Sequence, residues 1–128
     1  MDNENLNAIS KQILEASITV HKEMGPGLLE SVYQQCLVKE LSLRKIKTEA
    51  LVTVPLQYKG FILNKDYVID ILVENEIILE LKAVEVILPV HEAQLISYLK
   101  FANKKLGFLI NFNVRLLKDG FKRYVNNF

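Results

Sequence analysis

Residues 67–82, YVIDILVENEIILELK, decide the fold of this chain. Two runs of strand-forming residues flank the polar break Glu74-Asn75-Glu76, and such a break predicts a hairpin loop in which asparagine can take the left-handed conformation. A hairpin centred on this break sets position 70 opposite position 80. Because side chains alternate between the two faces of a strand, Glu80 and Lys82 share one face, and Asp70 faces Glu80 across the ladder. The hairpin therefore gathers two carboxylates and one ammonium group.

These three charges lie in strands whose two faces both look buried. The apolar residues are Ile69, Ile71, Leu79 and Leu81 on one face and Val68, Leu72 and Ile78 on the other. Like charges directly opposite each other destabilise a sheet, and an unpaired buried charge costs several kcal/mol. A bound cation would remove this penalty. The alternative is a salt bridge from Lys82 to Asp70 or Glu80 on a solvated face, and the spacing alone leaves both interpretations open.

Length and composition indicate one domain spanning residues 1–128. A chain of this size buries roughly two thirds of its unfolded surface. No apolar run approaches the roughly 20 residues of a membrane span, and no signal-peptide pattern opens the chain, so we expect a cytoplasmic protein without membrane contact. A net charge of +1 excludes a global basic field. The single cysteine, Cys36, excludes an internal disulfide, and with two histidines in the chain a structural zinc site is not expected.

The remaining patterns predict helices on either side of a sheet. The predicted segments are a helix over 6–24 that ends at Gly25-Pro26-Gly27, a helix over 28–43, a strand over 51–58, one long strand or two short ones over 61–73, the hairpin, a helix over 90–104, and strands over 106–113 and 121–125. Residues 83–88 continue the hairpin strand or form a loop. Pro55 favours an edge strand or an irregularity.

Five further residues are candidates for chemistry. Glu30 is the one acid in an apolar row of the second helix, although the helix dipole also favours an acid in a first turn. His91 and Gln94 stand one turn apart in the third helix, where a glutamine can bond water or phosphate and a histidine is commonly a cap. Lys122 and Arg123 lie among aromatic residues. They can follow a phosphate backbone or face solvent on an edge strand.

The segment Gly27-Leu28-Leu29-Glu30-Ser31-Val32-Tyr33 fits the pattern GxxExxY, and the chain resembles GxxExxY proteins of the PD-(D/E)XK nuclease superfamily. Other blocks agree with that family in the same order: VPLQYKG at 54–60, ELKAV at 80–84, HEAQL at 91–95, YLK at 98–100, LINFN at 109–113 and KDGFKR at 118–123. The resemblance implies a restriction-endonuclease-like α/β (α+β) fold. Its mixed β-sheet core has the order αβββαβ and is flanked by helices, here with an extra N-terminal helix and a C-terminal strand.

The resemblance also implies a role for each residue of the hairpin. Asp70 would be the acid of the PD half-motif, with Ile69 in place of the proline, and Glu80 and Lys82 would be the (D/E)XK pair. Relatives commonly carry a basic residue shortly before the acid. In this chain Val68, two residues before Asp70, stands at that position, so a substrate contact supplied from there is missing.

Beyond the hairpin, Glu30 would be an extra acid from a preceding helix and Gln94 a polar residue that the following helix points at the site. Asp70, Glu80 and the main-chain carbonyl of Leu81, with Glu30 as a further ligand, would hold Mg²⁺, or Mn²⁺ in its place. The lysine of the pair would position the attacking water. Substrate contacts are expected from Tyr33, His91, Lys122 and Arg123.

The expected function is that of a Mg²⁺-dependent nuclease that hydrolyses phosphodiester bonds through a metal-activated water, as an endo- or exonuclease, with DNA preferred to RNA. The alternative is a non-catalytic nucleic-acid-binding or assembly module that keeps the nuclease fold, and the net charge near zero favours it. A homodimer is expected in either case. Cleaving both strands of a duplex needs two sites, and a small domain offers limited binding surface.

Overall fold

The computed structural model describes all of residues 1–128 and contains three α-helices and five β-strands. They are α1 (Asn3–Met24), α2 (Glu30–Leu43), β1 (Thr48–Tyr58), β2 (Phe61–Val73), β3 (Ile77–Lys82), α3 (Pro89–Ala102), β4 (Leu106–Asn111) and β5 (Phe121–Val125), with a short 3₁₀ turn (Leu117–Gly120) before β5. The predicted element order is confirmed. None of the helices combines the length and the apolar character that a membrane crossing needs.

The five strands form one mixed sheet in the order β1-β2-β3-β4-β5. Only β3 and β4 run parallel, and α3 connects them, as a parallel pair requires a crossover. The other neighbours are antiparallel. This α+β arrangement, a mixed sheet flanked by helices, confirms the predicted fold class and agrees with a restriction-endonuclease-like core.

The β2–β3 hairpin has the predicted register. Ile71 pairs with Leu79, and the loop begins after the pair of Val73 with Ile77. Glu74 and Asn75 turn the chain with φ angles of 51° and 56°, in the left-handed region that asparagine tolerates better than most residues. The break at 74–76 is therefore the hairpin loop, and β2 is one long strand rather than two.

Each face of the sheet carries its own apolar core. On one face α1 and α2 cover side chains that include Ile71, Leu79 and Leu81, and on the other face α3 covers side chains that include Leu72 and Ile78. The expectation that both faces of the hairpin are buried is thus right for its paired part. It is wrong for Val68, which is 46% exposed.

One residue of the hairpin lies on the unexpected face. Ile69 packs in the cluster of Leu72 and Ile78, whereas strict alternation would place it with Ile71. The period of two therefore breaks between Ile69 and Ile71, and the residue at the break is Asp70. The β2–β3 pairing also ends here, since Ile71 is the last residue of β2 paired with β3.

The β1–β2 hairpin projects from the sheet. Its register shifts between Pro55 and Gln57, which confirms the irregularity predicted from the proline, and β1 is an edge strand. At the tip, large apolar side chains face solvent, and Phe61 is 70% exposed. The far end of this hairpin is thus an arm rather than part of the core.

Several boundaries differ from the predicted ones by one to three residues, at the starts of α1, α2, β1 and α3 and at two ends. The helix α3 ends at Ala102 because Asn103 adopts a left-handed conformation with φ 54°, and β4 ends at Asn111 rather than at residue 113. Residues 83–88 form a loop, which is one of the two predicted alternatives. These differences leave every predicted element in place. The loop matters most, because it follows Lys82 directly.

Candidate active site

Asp70 and Glu80 lie where β2 and β3 separate. Beyond the last ladder pair, the main-chain N–H of Leu81 donates to Asp70 Oδ2 at 2.8 Å, and the main-chain N–H of Asp70 donates to Glu80 Oε1 at 3.3 Å. In a continued ladder these two N–H groups would donate to main-chain carbonyls of the neighbouring strand. Here they donate to carboxylate oxygens instead. The two acids are neighbours, as the register predicts.

Burial opposes the charge of both acids. Glu80 is only 6% exposed, and burial, with the negative charge of Asp70 as the next cause, raises the pKa of Glu80 to about 9. Burial also raises the pKa of Asp70, against the hydrogen bond from Leu81 and the charge of Lys82. Without a cation, Glu80 therefore retains its proton at neutral pH.

Lys82 lies half-buried on the same face as Glu80 and forms no ion pair. The ion pairs of the structure join Met1 with Glu76 and Arg44 with Glu15 and Glu40. The salt-bridge alternative is therefore wrong: no carboxylate oxygen lies within 4.0 Å of the ammonium group, and the neighbouring acid is buried. The charge of Lys82 still acts on the pKa values of Glu30, Asp70 and Glu80, so the ammonium group lies near all three acids.

Glu30 is the first residue of α2 and lies at the rim of this group. Its side chain is exposed on one side, yet partial burial raises its pKa, with Lys82 lowering it and Asp70 raising it. Its helical row, Tyr33, Leu37 and Leu41, is the buried face of α2. The odd acid of an apolar row is thus aimed toward the two hairpin acids, although the three acids do not form one metal-binding cluster.

The oxygen atoms at the end of the hairpin fit a hard divalent cation. No group of three or more His, Cys, Asp or Glu side chains is arranged to hold one ion, so a cation at this place would depend on two carboxylates and main-chain oxygen. The N–H and C=O of a strand residue point to the same edge, so the carbonyl of Leu81 faces the side where β2 pairing has ended. Two carboxylates with remaining water ligands are the set that Mg²⁺ accepts, and the buried like charges give a cation a reason to bind.

The helix α3 carries two half-buried polar side chains on one face, and one of them lies near the acids. Gln94 is half-buried on α3, and Tyr98 follows one turn later. Burial, followed by the negative charges of Glu80 and Asp70, raises the pKa of Tyr98 to about 12, so its hydroxyl lies near the acids. Sequence reasoning missed Tyr98. The signal was its spacing of four residues from Gln94, which places both on one helical face.

Tyr33 has a structural role instead of the expected substrate contact. Its side chain is fully buried, stacks on Phe112 at 4.5 Å between ring centroids, donates from its hydroxyl to the Gly25 carbonyl at 2.5 Å, and accepts from the Leu28 N–H at 3.1 Å. A side chain with no exposed surface cannot contact substrate. The tyrosine of the GxxExxY pattern instead stabilises the turn before α2 through these two hydrogen bonds. This turn determines where α2 begins and therefore where Glu30 lies.

The other three expected substrate contacts have different positions. His91 accepts the Leu88 N–H through Nδ1 at 3.0 Å and thus caps α3. Arg123 donates to Asn7 Oδ1 at 3.0 Å and stacks on Phe128, on the face of α1. Lys122 is exposed and lies on the opposite face of β5, beside a different cavity from the acids. The structure brings none of these residues against the carboxylates.

A buried asparagine that sequence reasoning did not assign holds the loop after Lys82. Asn111 is 3% exposed, accepts from the Val84 N–H at 3.1 Å and donates to the Val84 carbonyl at 2.9 Å. In addition, the Phe112 N–H donates to the Lys82 carbonyl at 2.9 Å. The main chain from the Lys82 carbonyl to Val84 is therefore fixed. The available signal was a polar residue at the end of an otherwise apolar strand.

A mixed sheet whose central hairpin carries Asp70, Glu80 and Lys82 at its separating end defines a nuclease-like domain of the restriction-endonuclease type. A sequence model described as the PD-(D/E)XK nuclease superfamily matches residues 7–124. The chain belongs to the PD-(D/E)XK nuclease superfamily. Membership suggests nuclease activity on a nucleic acid, and these nucleases generally use divalent metals. No curated protein and no solved structure gives a significant match to the chain.

Proposed function

We propose that this chain is a Mg²⁺-dependent nuclease that hydrolyses phosphodiester bonds in DNA, with Mn²⁺ able to replace Mg²⁺. The observation that carries the proposal is the buried pair Asp70 and Glu80 beside an unpaired Lys82, at the one place where the hairpin ladder ends. A fold selected only for stability would avoid two adjacent buried carboxylates. A metal site gives the arrangement a function.

The chain's own residues have separate parts in the proposed reaction. Asp70, Glu80 and the Leu81 carbonyl would hold the metal, with Glu30 acting on it from the rim. A bound divalent cation supplies an activated water and offsets the negative charge of the phosphodiester. Lys82, which forms no ion pair with an acid, is free to donate to the attacking water and orient it. Gln94, on the α3 side, would hydrogen-bond that water or a phosphate oxygen.

A second candidate function is a nucleic-acid-binding or assembly module that keeps the fold without cleavage. It is favoured by the net charge of +1, by Val68 in place of a basic residue, and by Arg123, whose guanidinium is engaged with Asn7 and Phe128. Fold alone does not separate the two functions, because one fold can lose its chemistry and keep its binding surface.

Cleavage assays separate the two candidates. Plasmid DNA, linear duplex DNA, single-stranded DNA and RNA are incubated with the protein and Mg²⁺ or Mn²⁺. The nuclease proposal predicts metal-dependent cleavage that Lys82→Ala and Glu80→Gln abolish, whereas the matched surface variant Lys11→Ala, on the exposed side of α1, cleaves normally. No cleavage of any substrate by the wild type, together with retained binding, would support the binding module.

We further propose that the protein is a homodimer joined through its β1–β2 arms. Each chain has a single acidic site, and the arm exposes Tyr58, Phe61 and Ile62 by 63%, 70% and 66%. Burial of such side chains favours association. Analytical ultracentrifugation is expected to give a dimer for the wild type and a monomer for Phe61→Lys; a wild-type monomer at assay concentration contradicts this proposal.

A further inference from the structure

Beside the acidic site lies a cavity of about 540 Å³, most of whose lining residues have no part in the proposed chemistry. Its lining residues are Leu29, Glu30, Ser31, Gln34, Gln35, Leu51 and Asp70. The volume lies in the range of roughly 300–1,000 Å³ that is typical of small-molecule pockets. Because Asp70 lines it, a group bound in the cavity would lie next to the proposed metal ligands. A second cavity, of about 430 Å³ between α1 and α2, includes neither Asp70 nor Glu30 among its lining residues.

The apolar part of the lining consists of two leucines that the fold leaves in solvent. Leu29 is 73% exposed and Leu51 is 64% exposed. Leu51 has a φ angle of 54°, which is rare for a branched side chain, and it lies between the strand pairs Ala50–Ile71 and Val52–Ile69, directly beside Asp70. These side chains offer apolar surface to a flat ring at the mouth of the cavity.

The polar part of the lining is neutral except near the acids. Gln34 donates to the main-chain carbonyl of Asp70 at 3.4 Å, which holds its amide at the cavity wall, and Ser31 and Gln35 add a hydroxyl and a second amide. Amide and hydroxyl groups supply both donors and acceptors, as recognition of a base edge requires. Glu30 and Asp70 line the wall next to the proposed metal, so a phosphate group would be drawn to the cation there and not to the neutral part of the cavity.

We infer that the cavity receives one unstacked nucleobase of the substrate strand, next to the phosphodiester that is cleaved; this inference rests on the proposed nuclease function. A base in a duplex is stacked and paired and cannot enter without leaving the helix, an unfavourable step that a single strand or a frayed end largely avoids. The substrate class at this site is therefore single-stranded nucleic acid or strand ends.

The test uses single-stranded oligonucleotides that carry one 2-aminopurine, a base whose fluorescence is quenched by stacking. No aromatic ring lines the cavity, so entry of the base is expected to raise the fluorescence several-fold. The protein is the cleavage-deficient Lys82→Ala variant, so that binding is measured without product formation. Adding Ser31→Trp fills the cavity and should remove the rise, whereas Ser42→Trp, on an exposed position near the end of the same helix, should keep it.

Kinetics with the variants in the wild-type background distinguish the base site from the chemistry. Ser31→Trp is expected to raise KM for single strands several-fold with kcat nearly unchanged, and wild-type cleavage of single strands should exceed that of blunt duplexes. Cleavage by the wild type with no fluorescence rise, or with equal rises in both tryptophan variants, overturns the base site and leaves the nuclease assignment standing. Absence of cleavage with a Ser31-dependent rise supports the base site and overturns the nuclease assignment. Absence of both overturns both.

Discussion

At the scale of single residues, the fold strongly opposes the charge of Glu80. The side chain is 6% exposed and faces Asp70, and its pKa of about 9 expresses both facts. Removing the charge should therefore stabilise the metal-free protein at alkaline pH. The same change should remove a metal ligand, so stability and function are expected to respond in opposite directions.

The stability of metal-free protein is predicted to depend on pH through Glu80. Its folded pKa, about 9, lies above its unfolded value near 4.5, so the native state binds more protons between these values and unfolding becomes easier as pH rises from about 4.5 to about 9. Each pH unit in this range lowers the free energy of unfolding by about 1.4 kcal/mol. The total loss at pH 7, relative to the plateau at low pH, is on the order of 3 kcal/mol. Urea unfolding in EDTA should show this slope in the wild type and a flatter dependence in Glu80→Gln. Parallel slopes in the two proteins would show that Glu80 is not the titrating group.

Tyr33→Phe is predicted to destabilise the protein by about 1–3 kcal/mol, because the Gly25 carbonyl loses its donor and the Leu28 N–H loses its acceptor. Thermal unfolding measures the effect. Tyr58→Phe, at an exposed position on the β1–β2 arm, is the matched control and should change little. Equal stability of Tyr33→Phe and wild type would mean that these hydrogen bonds do not hold the turn before Glu30.

At the scale of elements, helices and strands were predictable because their apolar periods of about three and a half or two are strong. The hairpin register followed from the polar break at 74–76, and it correctly set Asp70 opposite Glu80. The position of Ile69 was not predictable in this way. Alternation rules assume an undistorted strand, and β2 is distorted at Asp70. There the main-chain N–H groups bond to carboxylate side chains instead of to the main chain of the neighbouring strand, and the side chain of Ile69 changes face.

The candidate site residues from other elements were harder to predict. Residue type alone marked Glu30 and Gln94 as candidates, but only the family resemblance assigned them to the hairpin acids, because the packing of helices against a sheet end is a property of the whole fold. Tyr98 was missed for the same reason. Tyr33 was wrongly predicted to contact substrate. A sequence pattern shows that a residue recurs near a site, but it does not show that the side chain is buried, as that of Tyr33 is.

The contact of α3 with the sheet is predicted to depend on Gly107 in β4. A Cβ atom at this position would lie 2.9 Å from Leu95 Cδ1 and 3.2 Å from the Ile78 carbonyl oxygen, so one side chain of α3 would have to move. Gly107→Ala should therefore destabilise the protein by about 1–3 kcal/mol. Chemical denaturation measures the loss, and Ala93→Val on the exposed side of α3 is the control. An unchanged midpoint for Gly107→Ala would contradict the close packing.

At the scale of the whole molecule, a small sheet brings one acid from a helix and two from a hairpin to one end, with α3 on the other side. Net charge gives no hint of this concentration, because the total of +1 hides a local excess of acid. This site exists only in the folded protein, so a cation there would bind the native state and not the unfolded chain. Metal binding and global stability should therefore be linked.

Mg²⁺ is predicted to raise the melting temperature of the wild type at pH 8 in a concentration-dependent way. A ligand at a hundred times its Kd that binds only the native state adds about 2.7 kcal/mol to the free energy of unfolding. Differential scanning calorimetry should detect the rise in the wild type and a much smaller one in Glu80→Gln. Glu92→Gln, on the first turn of α3, serves as the acid-to-amide control. Equal shifts in the wild type and Glu80→Gln would place the ion elsewhere.

The most direct test of the central claim, that the end of the hairpin performs metal-dependent hydrolysis, is the single-turnover cleavage rate of a labelled oligonucleotide with Mg²⁺, compared between the wild type and Lys82→Ala. Lys82→Ala is expected to lose about a hundredfold or more in rate while the calorimetric Mg²⁺ affinity is retained, because the lysine acts on the water and does not bind the ion. Equal cleavage rates for the two proteins would mean that Lys82 has no part in the hydrolysis and that the hairpin end is not the active site.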